Sequence, residues 1–579
     1  MHRSAAIFYV KDGYDTSGKR LLGRQSAGEG FLKALARYSQ AETLYCSTPS
    51  EDSFREFCHR VRGWTTQNRS IVWLNSNDPS SLSQAGVLYY PTPGIGEWAW
   101  KRRFSDSRSY SLCGITHTTA SRAIMEAVSQ LLIAPVQPWD ALICTSQAVK
   151  QGVEHLLESW GEYLLQRTGC RPDANVQLPV IPLGVDCTAF PQGNQAKESR
   201  RRLRQTLQIA EEDLVILFVG RLVSYAKAHP VPMYLAVERA VQQLRRDSQL
   251  SQQRVHLIQA GWFESDKDEA AFKAAAKKYC PSVNALFVDG RLPEIRRQIW
   301  STADIFISLA DNIQETFGLT PIEAMASGLP VVVSDWNGYK ESVRHDIDGF
   351  RVPTLLPPPG TGGDLAFDYI NDRVNYSTFV GESAMTTAID IDACATFLLR
   401  LMGDRTLRQR LGENGRQRAR QVYDWRIVIE SYEALWVELA RKRASESMCA
   451  PLEAERSPYP ISDDPFRAFA HYPTQSLTPQ LRLTLGQMAS PQARAELFQL
   501  WTNTLGSSRR LSPEETDRLI ELVGKLGSIS IEEIFRQWQI APRSIGGVRL
   551  YRTVSYLLKF DILKIESLSR TSRNTEFLQ

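Results

Sequence analysis

Two long stretches of this chain alternate short apolar runs with helical patterns, and that alternation limits the fold more than any other feature. In the first stretch the apolar runs fall at residues 5–10, 70–74, 86–90, 112–116 and 141–144, with a helical run at 31–36. In the second they fall at 214–219, 255–259, 285–288, 305–308 and 331–333. Runs of this length separated by helices predict βαβ units, hence an α/β fold with mostly parallel sheets. At 579 residues the chain exceeds what one hydrophobic core supports. Two Rossmann-like domains facing a cleft are therefore expected, with ligands at the carboxyl ends of the strands.

A polar stretch at about 191–204 reads as the linker between them, which gives domains at 1–200 and 205–424. Residues 354–385 are rich in Pro and Gly and read as a surface insertion. Beyond residue 450 the composition changes. Ser512 with Glu515, and Ser530 with Glu533, each form an S-x-x-E capping box that opens a short amphipathic helix. A third helical run at 549–559 and an apolar run at 561–565 make residues 450–579 an appended helical module, winged-helix-like in pattern.

Composition excludes several classes. A net charge of +4 and a tail with nearly balanced charges argue against nucleic-acid binding. Contact with protein, or self-association, is the expected role of the tail. Nine cysteines include no CxxC pair, which suits a reducing compartment. No apolar run reaches the eighteen residues a membrane span needs, and the run at 5–10 is too short for a signal peptide. The expectation is a cytoplasmic enzyme, free or peripheral to a membrane. Eight histidines without HExxH give no metal constellation, and no cofactor is expected.

The residues that would carry chemistry follow the predicted strands. Glu315 and Glu323 flank Phe317-Gly318-Leu319. Thr320, Pro321 and Glu323 fit the N-cap, first and third positions of a helix in a T-x-x-E box. A helix N-terminus attracts phosphate, and two carboxylates beside it can accept hydrogen bonds from sugar hydroxyls. Gly220-Arg221-Leu222 follows the run at 214–219, and Lys227 stands six residues past Arg221. Arg221 can fork onto phosphate oxygens and Lys227 adds a point charge.

Glu315 and Glu323 with Phe317-Gly318-Leu319 between them, followed by Ala324-Met-Ala-Ser-Gly-Leu-Pro, resemble the E-x7-E signature of retaining GT-B glycosyltransferases of family 4. The resemblance covers about residues 5–442. It implies that Glu315 binds the donor sugar, Glu323 the nucleotide ribose, and Arg221 and Lys227 the pyrophosphate of a nucleotide-diphosphate sugar. It further implies that a helix at about 425–442 crosses back onto the first domain. Gly28 and Gly30, in a loop with a Ser26/Glu29 box, would lie over the diphosphate and line the acceptor site; a plain turn into a helix fits them equally. His117 would touch the donor sugar, against the ordinary alternative of a structural histidine. Gly290 and Arg291 would pack on the nucleotide base, and residues 334–341 would form a loop near the sugar or a structural turn. Residues 90–103, with Trp98 and Trp100, read as an irregular loop with buried tryptophans, though their rings suit an acceptor.

The resulting expectation is a metal-independent hexosyl transfer from a nucleotide sugar to an unidentified acceptor: saccharide, lipid-linked or small molecule. Two other readings remain open at this point. One is a GT-B sugar-nucleotide epimerase or phosphorylase-like enzyme. The other is a nucleotide-sugar-sensing regulator with a winged-helix-like reader.

Overall fold

A computed structural model describes residues 4–16, 23–247, 253–453 and 456–566. The chain divides into two compact units, Met1–Pro460 and Ile461–Gln579. The larger contains two six-stranded sheets, each wholly parallel. The first has strands β1 (Ala6–Phe8), β2 (Thr43–Thr48), β3 (Ser70–Asn75), β4 (Val87–Tyr90), β5 (Ser111–Ile115) and β6 (Ala141–Ile143) in the order β3-β2-β1-β4-β5-β6. The second has β7 (Leu214–Val219), β8 (Val255–Gly261), β9 (Asn284–Asp289), β10 (Ile305–Ser308), β11 (Val331–Ser334) and β12 (Gly349–Val352) in the order β12-β11-β10-β7-β8-β9. This is the predicted two-domain α/β architecture. β2 and β12 carry too few apolar residues to stand out in the sequence. They appear because their backbones pair along β1 and β11.

The helix Trp425–Ser445 does return to the first domain. Trp425, Ile429, Tyr432, Trp436 and Leu439 are buried in one core with Phe31 and Tyr89. Glu433 accepts from Ser39 Oγ at 2.6 Å and from the Gln40 amide at 2.8 Å, which locks it to the helix Gly23–Tyr38. Residues beyond it also stay on this domain: the Cys449 amide donates to Gln137 Oε1 at 2.9 Å, and Tyr459 stacks on Trp100.

Several expectations change. The supposed linker at 191–204 is largely the helix Gly193–Thr206. Its anchor is Arg204, only 1% exposed, which meets Asp304 at 2.8 Å and donates to the carbonyls of Thr302 and Asp213. A helix held by a buried cation shows little apolar periodicity. The insertion 354–385 is no loop either: it folds as the helices Gly363–Ile370 and Tyr376–Met385, framed by the short antiparallel pair Thr354–Leu355 and Ala388–Ile389. Residues 90–103 contain the helix Ile95–Arg102 instead of an irregular loop, with Trp98 buried and Arg102 fully enclosed against Asp140 at 2.7 Å.

The second unit holds the helices Pro513–Leu526, Ile531–Trp538 and Ile545–Lys559. Both capping boxes form as read, Ser512 with Glu515 and Ser530 with Glu533. An antiparallel three-stranded sheet accompanies them. Its middle strand, Arg482–Leu485, pairs with Ile529–Ser530 and Leu563–Ile565 and was not legible in the sequence.

Candidate functional site

The carboxyl ends of the two sheets meet. Thr316, in the loop after β10, donates through Oγ1 to the carbonyl of His117, which follows β5, at 3.0 Å. Ser146, after β6, donates through Oγ to the Thr316 carbonyl at 3.0 Å. Glu341 of the second domain receives the amides of Gln147 and Ala148, at 2.8 and 3.0 Å. These are the free N–H groups that open the helix Gln147–Thr168, so a carboxylate is favoured there.

Beside this junction Lys227 Nζ lies 2.9 Å from Glu315 Oε2. Burial alone would raise the Glu315 carboxyl. The Lys227 ammonium and the amides of Phe317 and Thr316 outweigh it and hold the group below the usual carboxylate range. Arg221 pairs with Glu264 at 3.1 Å, and Glu264 also takes the hydroxyl of Tyr225.

The two loops bearing Lys227 and Glu315 are joined by a residue that sequence reasoning missed. Asn312 is fully buried. Its Nδ2 donates to the Lys227 carbonyl at 2.8 Å, and its Oδ1 accepts the amides of Gln314 and Glu315, each at 3.1 Å. Trp336 Nε1 donates to the Asn312 carbonyl at 2.9 Å, and Asn337 donates to the Glu315 carbonyl. The loop at 334–341 is thus a brace behind the glutamate. Asn312 stands just past β10, the same strand-end position that marked Arg221, and that position was the available signal. Its neighbour Asp311 is 2% exposed. It accepts the His229 amide at 2.9 Å, while its Oδ1 is buried without a partner. Burial pushes its carboxyl up to about 7.

Glycines let backbones close in around these groups. Gly318 has φ +79°, and a Cβ there would lie 2.0 Å from the Tyr339 ring. Gly220, Gly261 and Gly290 end β7, β8 and β9 side by side; a Cβ on Gly261 would lie 1.9 Å from the Gly220 carbonyl oxygen. Phe317 is buried edge-on to Tyr423, and Leu319 is the first residue of the helix. Arg291 turns onto Asp289 at 2.8 Å and over Trp262.

Three details depart from expectation. The helix is Leu319–Ser327 with Gly318 at its N-cap, so Thr320 does not cap it and Glu323 is no capping-box partner. The left-handed turn at Gly318 starts the helix two residues early. Among the described residues the Glu323 carboxylate takes no hydrogen bond; burial raises it, with Arg296 opposing. Gly28 and Gly30, likewise, are not in a loop, because the helix begins at Gly23 and Ser26 lies within it. A Cβ on Gly28 would lie 2.1 Å from the Gly13 carbonyl oxygen, and one on Gly30 would lie 3.1 Å from the Trp425 ring. Both allow close packing in the first domain, and Gly28 also lines a cavity there. Residues 17–22, just before this helix, lie outside the described residues.

Among the described residues no group of three or more His, Cys, Asp and Glu side chains is gathered to hold a metal ion. Likewise, no described helix is long and apolar enough to cross a membrane.

Comparison with known proteins locates the same segment. Residues 199–355 match the family described as "Glycosyl transferases group 1". A D-inositol 3-phosphate glycosyltransferase of Nocardia farcinica is 29% identical over 176 residues, 30% of this chain and 36% of that one. The sulfoquinovosyl transferase of Arabidopsis thaliana is 24% identical over 251 residues, 43% of this chain and 38% of that one. Those matches span well under half the length of either relative. Among solved structures, Anabaena HepE in complex with UDP is similar at a TM-score of 0.47 and 15% identity, over 76% of this chain and 100% of that one. Gly220, Arg221, Lys227, Glu315 and Glu323 all lie within the segment that matches the group 1 glycosyl transferase family.

Proposed function

We propose that the protein is a retaining glycosyltransferase of family 4 type that moves a sugar from a nucleotide-diphosphate sugar to an acceptor hydroxyl. The observation that carries this reading is the Lys227–Glu315 contact at 2.9 Å, set at the strand ends of the matched segment. Relatives named for transfer to inositol phosphate and for sulfoquinovosyl transfer support sugar transfer as the reaction class.

In this reading the second domain takes the donor. Arg221 and Lys227 neutralise the departing diphosphate, and the start of the helix Leu319–Ser327 adds its free amides. Glu315 orients the donor sugar, and Glu323, whose carboxylate takes no hydrogen bond among the described residues, receives the ribose hydroxyls. Gly220 and Gly290 leave room for the nucleotide, with Arg291 beside the base. The acceptor oxygen attacks on the face the leaving group vacates, and a phosphate oxygen of that group takes its proton. Residues 461–579 set partner choice or self-association.

The test uses the full-length chain and a panel of nucleotide-diphosphate sugars. Release of nucleoside diphosphate and thermal stabilisation are read for each. A donor at a hundred times its Kd should stabilise the protein by about 2.7 kcal/mol. NMR of the product should show the donor's anomeric configuration retained. A panel in which no donor is cleaved or stabilises the protein refutes the reading, and an inverted product refutes retention.

A further inference from the structure

The first domain contains a cavity of about 210 Å³ at the carboxyl ends of β1, β4 and β5. It is smaller than the roughly 300–1,000 Å³ typical of small-molecule sites, so it holds about one ring and not an oligosaccharide. Aromatic rings form much of its wall, among them Phe31, Tyr90, Trp425 and Tyr432. Some of the polar groups around it are already engaged. The Tyr14 hydroxyl donates to the Phe8 carbonyl at 3.1 Å, and Arg24 pairs with Asp12 at 2.7 Å. A sugar buried here would leave several hydroxyls unpaired, which is unfavourable, whereas an apolar ring would lose nothing.

Among the described residues, the His117 ring, the Tyr90 hydroxyl and the Trp425 Nε1–H in the lining have no such engagement. Burial, with Arg24 nearby, lowers the His117 imidazole to about 4, so near neutral pH it is uncharged and can accept a hydrogen bond. The His117 carbonyl is held by Thr316, the residue after Glu315. The cavity is thus coupled to the loop that carries the proposed donor residue.

We infer that this cavity selects an acceptor alcohol with an apolar body, a single aromatic or alicyclic ring, whose hydroxyl faces His117. The inference rests on the glycosyl-transfer reading above and narrows its acceptor class. Ring stacking on the aromatic walls supplies the affinity, and the one hydrogen bond to His117 orients the oxygen.

Binding is measured first without donor, by ligand-observed NMR on the full-length chain, with cyclohexanol and 4-methylphenol against glucose and glycerol at equal concentration. The ring alcohols should bind at least tenfold more tightly. With a cleaved donor present, KM for the ring alcohols should rise at least tenfold in Ala27→Leu, which fills the cavity from the helix Gly23–Tyr38, with a smaller change in kcat. Val10→Asp, at the half-exposed rim, should raise KM in the same direction and serves if Ala27→Leu does not fold. Equal or tighter binding of glucose, or an unchanged KM in a folded variant, overturns the inference. Donor cleavage without acceptor is read in parallel. A panel in which no donor is cleaved or stabilises the protein sinks the glycosyl-transfer reading, while the donor-free binding data still decide the chemistry of the cavity.

Discussion

Replacing Asn312 with alanine should damage both stability and turnover, in separable ways. The side chain makes three hydrogen bonds in a fully buried position, to the Lys227 carbonyl and to the Gln314 and Glu315 amides. A typical intramolecular hydrogen bond contributes a net ~0.5–1.5 kcal/mol, and a buried group left unpaired costs ~1–3 kcal/mol. Gln314 and Glu315 are only partly buried, so water replaces some of what is lost. A loss of about 2–4 kcal/mol follows, and with unfolding entropies that scale with chain length it lowers Tm by about 2–4 °C. The catalytic effect has another origin. Without the brace, the backbones carrying Lys227 and Glu315 are no longer fixed to each other, and a displacement near 1 Å can cost about a hundredfold in rate. Donor turnover and differential scanning calorimetry on the same preparation separate the two. Asn312→Asp keeps an acceptor for both amides but sets a buried carboxyl against the Lys227 carbonyl, so it should lose turnover and also stability, the stability loss growing as pH rises. An Asn312→Ala protein with normal kcat and a Tm within about 1 °C of the parent would show that Asn312 does not hold the two loops.

Arg221→Ala and Lys227→Ala should each lower kcat at least about a hundredfold, since each removes charge stabilisation of the leaving diphosphate; near-normal turnover in a folded double variant contradicts their role. Glu323→Gln should weaken nucleotide binding, measured by titration calorimetry, without lowering Tm. Glu323 caps nothing in the structure, and burial already disfavours its charge. A clear drop in Tm would contradict that placement. Asp311→Asn tests the buried carboxyl through pH. The folded group is raised to about 7, above its unfolded value, so its contribution is full below about pH 4 and is lost as pH rises through about 7. The amide variant removes that loss. It should gain on the parent with rising pH, by up to about 3–5 kcal/mol at pH 8, in urea unfolding at pH 4 and pH 8. A difference that does not grow with pH refutes the shift.

Much of this molecule was legible in the sequence because the controlling interactions are local or periodic. Apolar runs bounded by polar turns marked ten of the twelve strands in the parallel sheets, and the strand-end position picked out Arg221, Lys227 and Glu315. The boxes at Ser512 and Ser530 formed as read because a capping box is completed within four residues. The same rule failed at Ser26 and Thr320, where the chain was already helical by the time it reached them. At Thr320 the cause is Gly318, whose left-handed backbone starts the helix and whose missing Cβ makes room for Tyr339. That requirement comes from a residue 21 positions away. The helix at 193–206 was hidden for a related reason: its anchor is the Arg204–Asp304 pair, and no local pattern reveals a partner a hundred residues distant. The site itself was half legible. Residue types and spacing pointed to the cations and carboxylates. Only the tertiary structure decided that Lys227 meets Glu315, that Asn312 ties their loops together, and that Thr316 reaches His117 across the two domains, because each of these contacts joins segments brought together by sheet order and not by sequence.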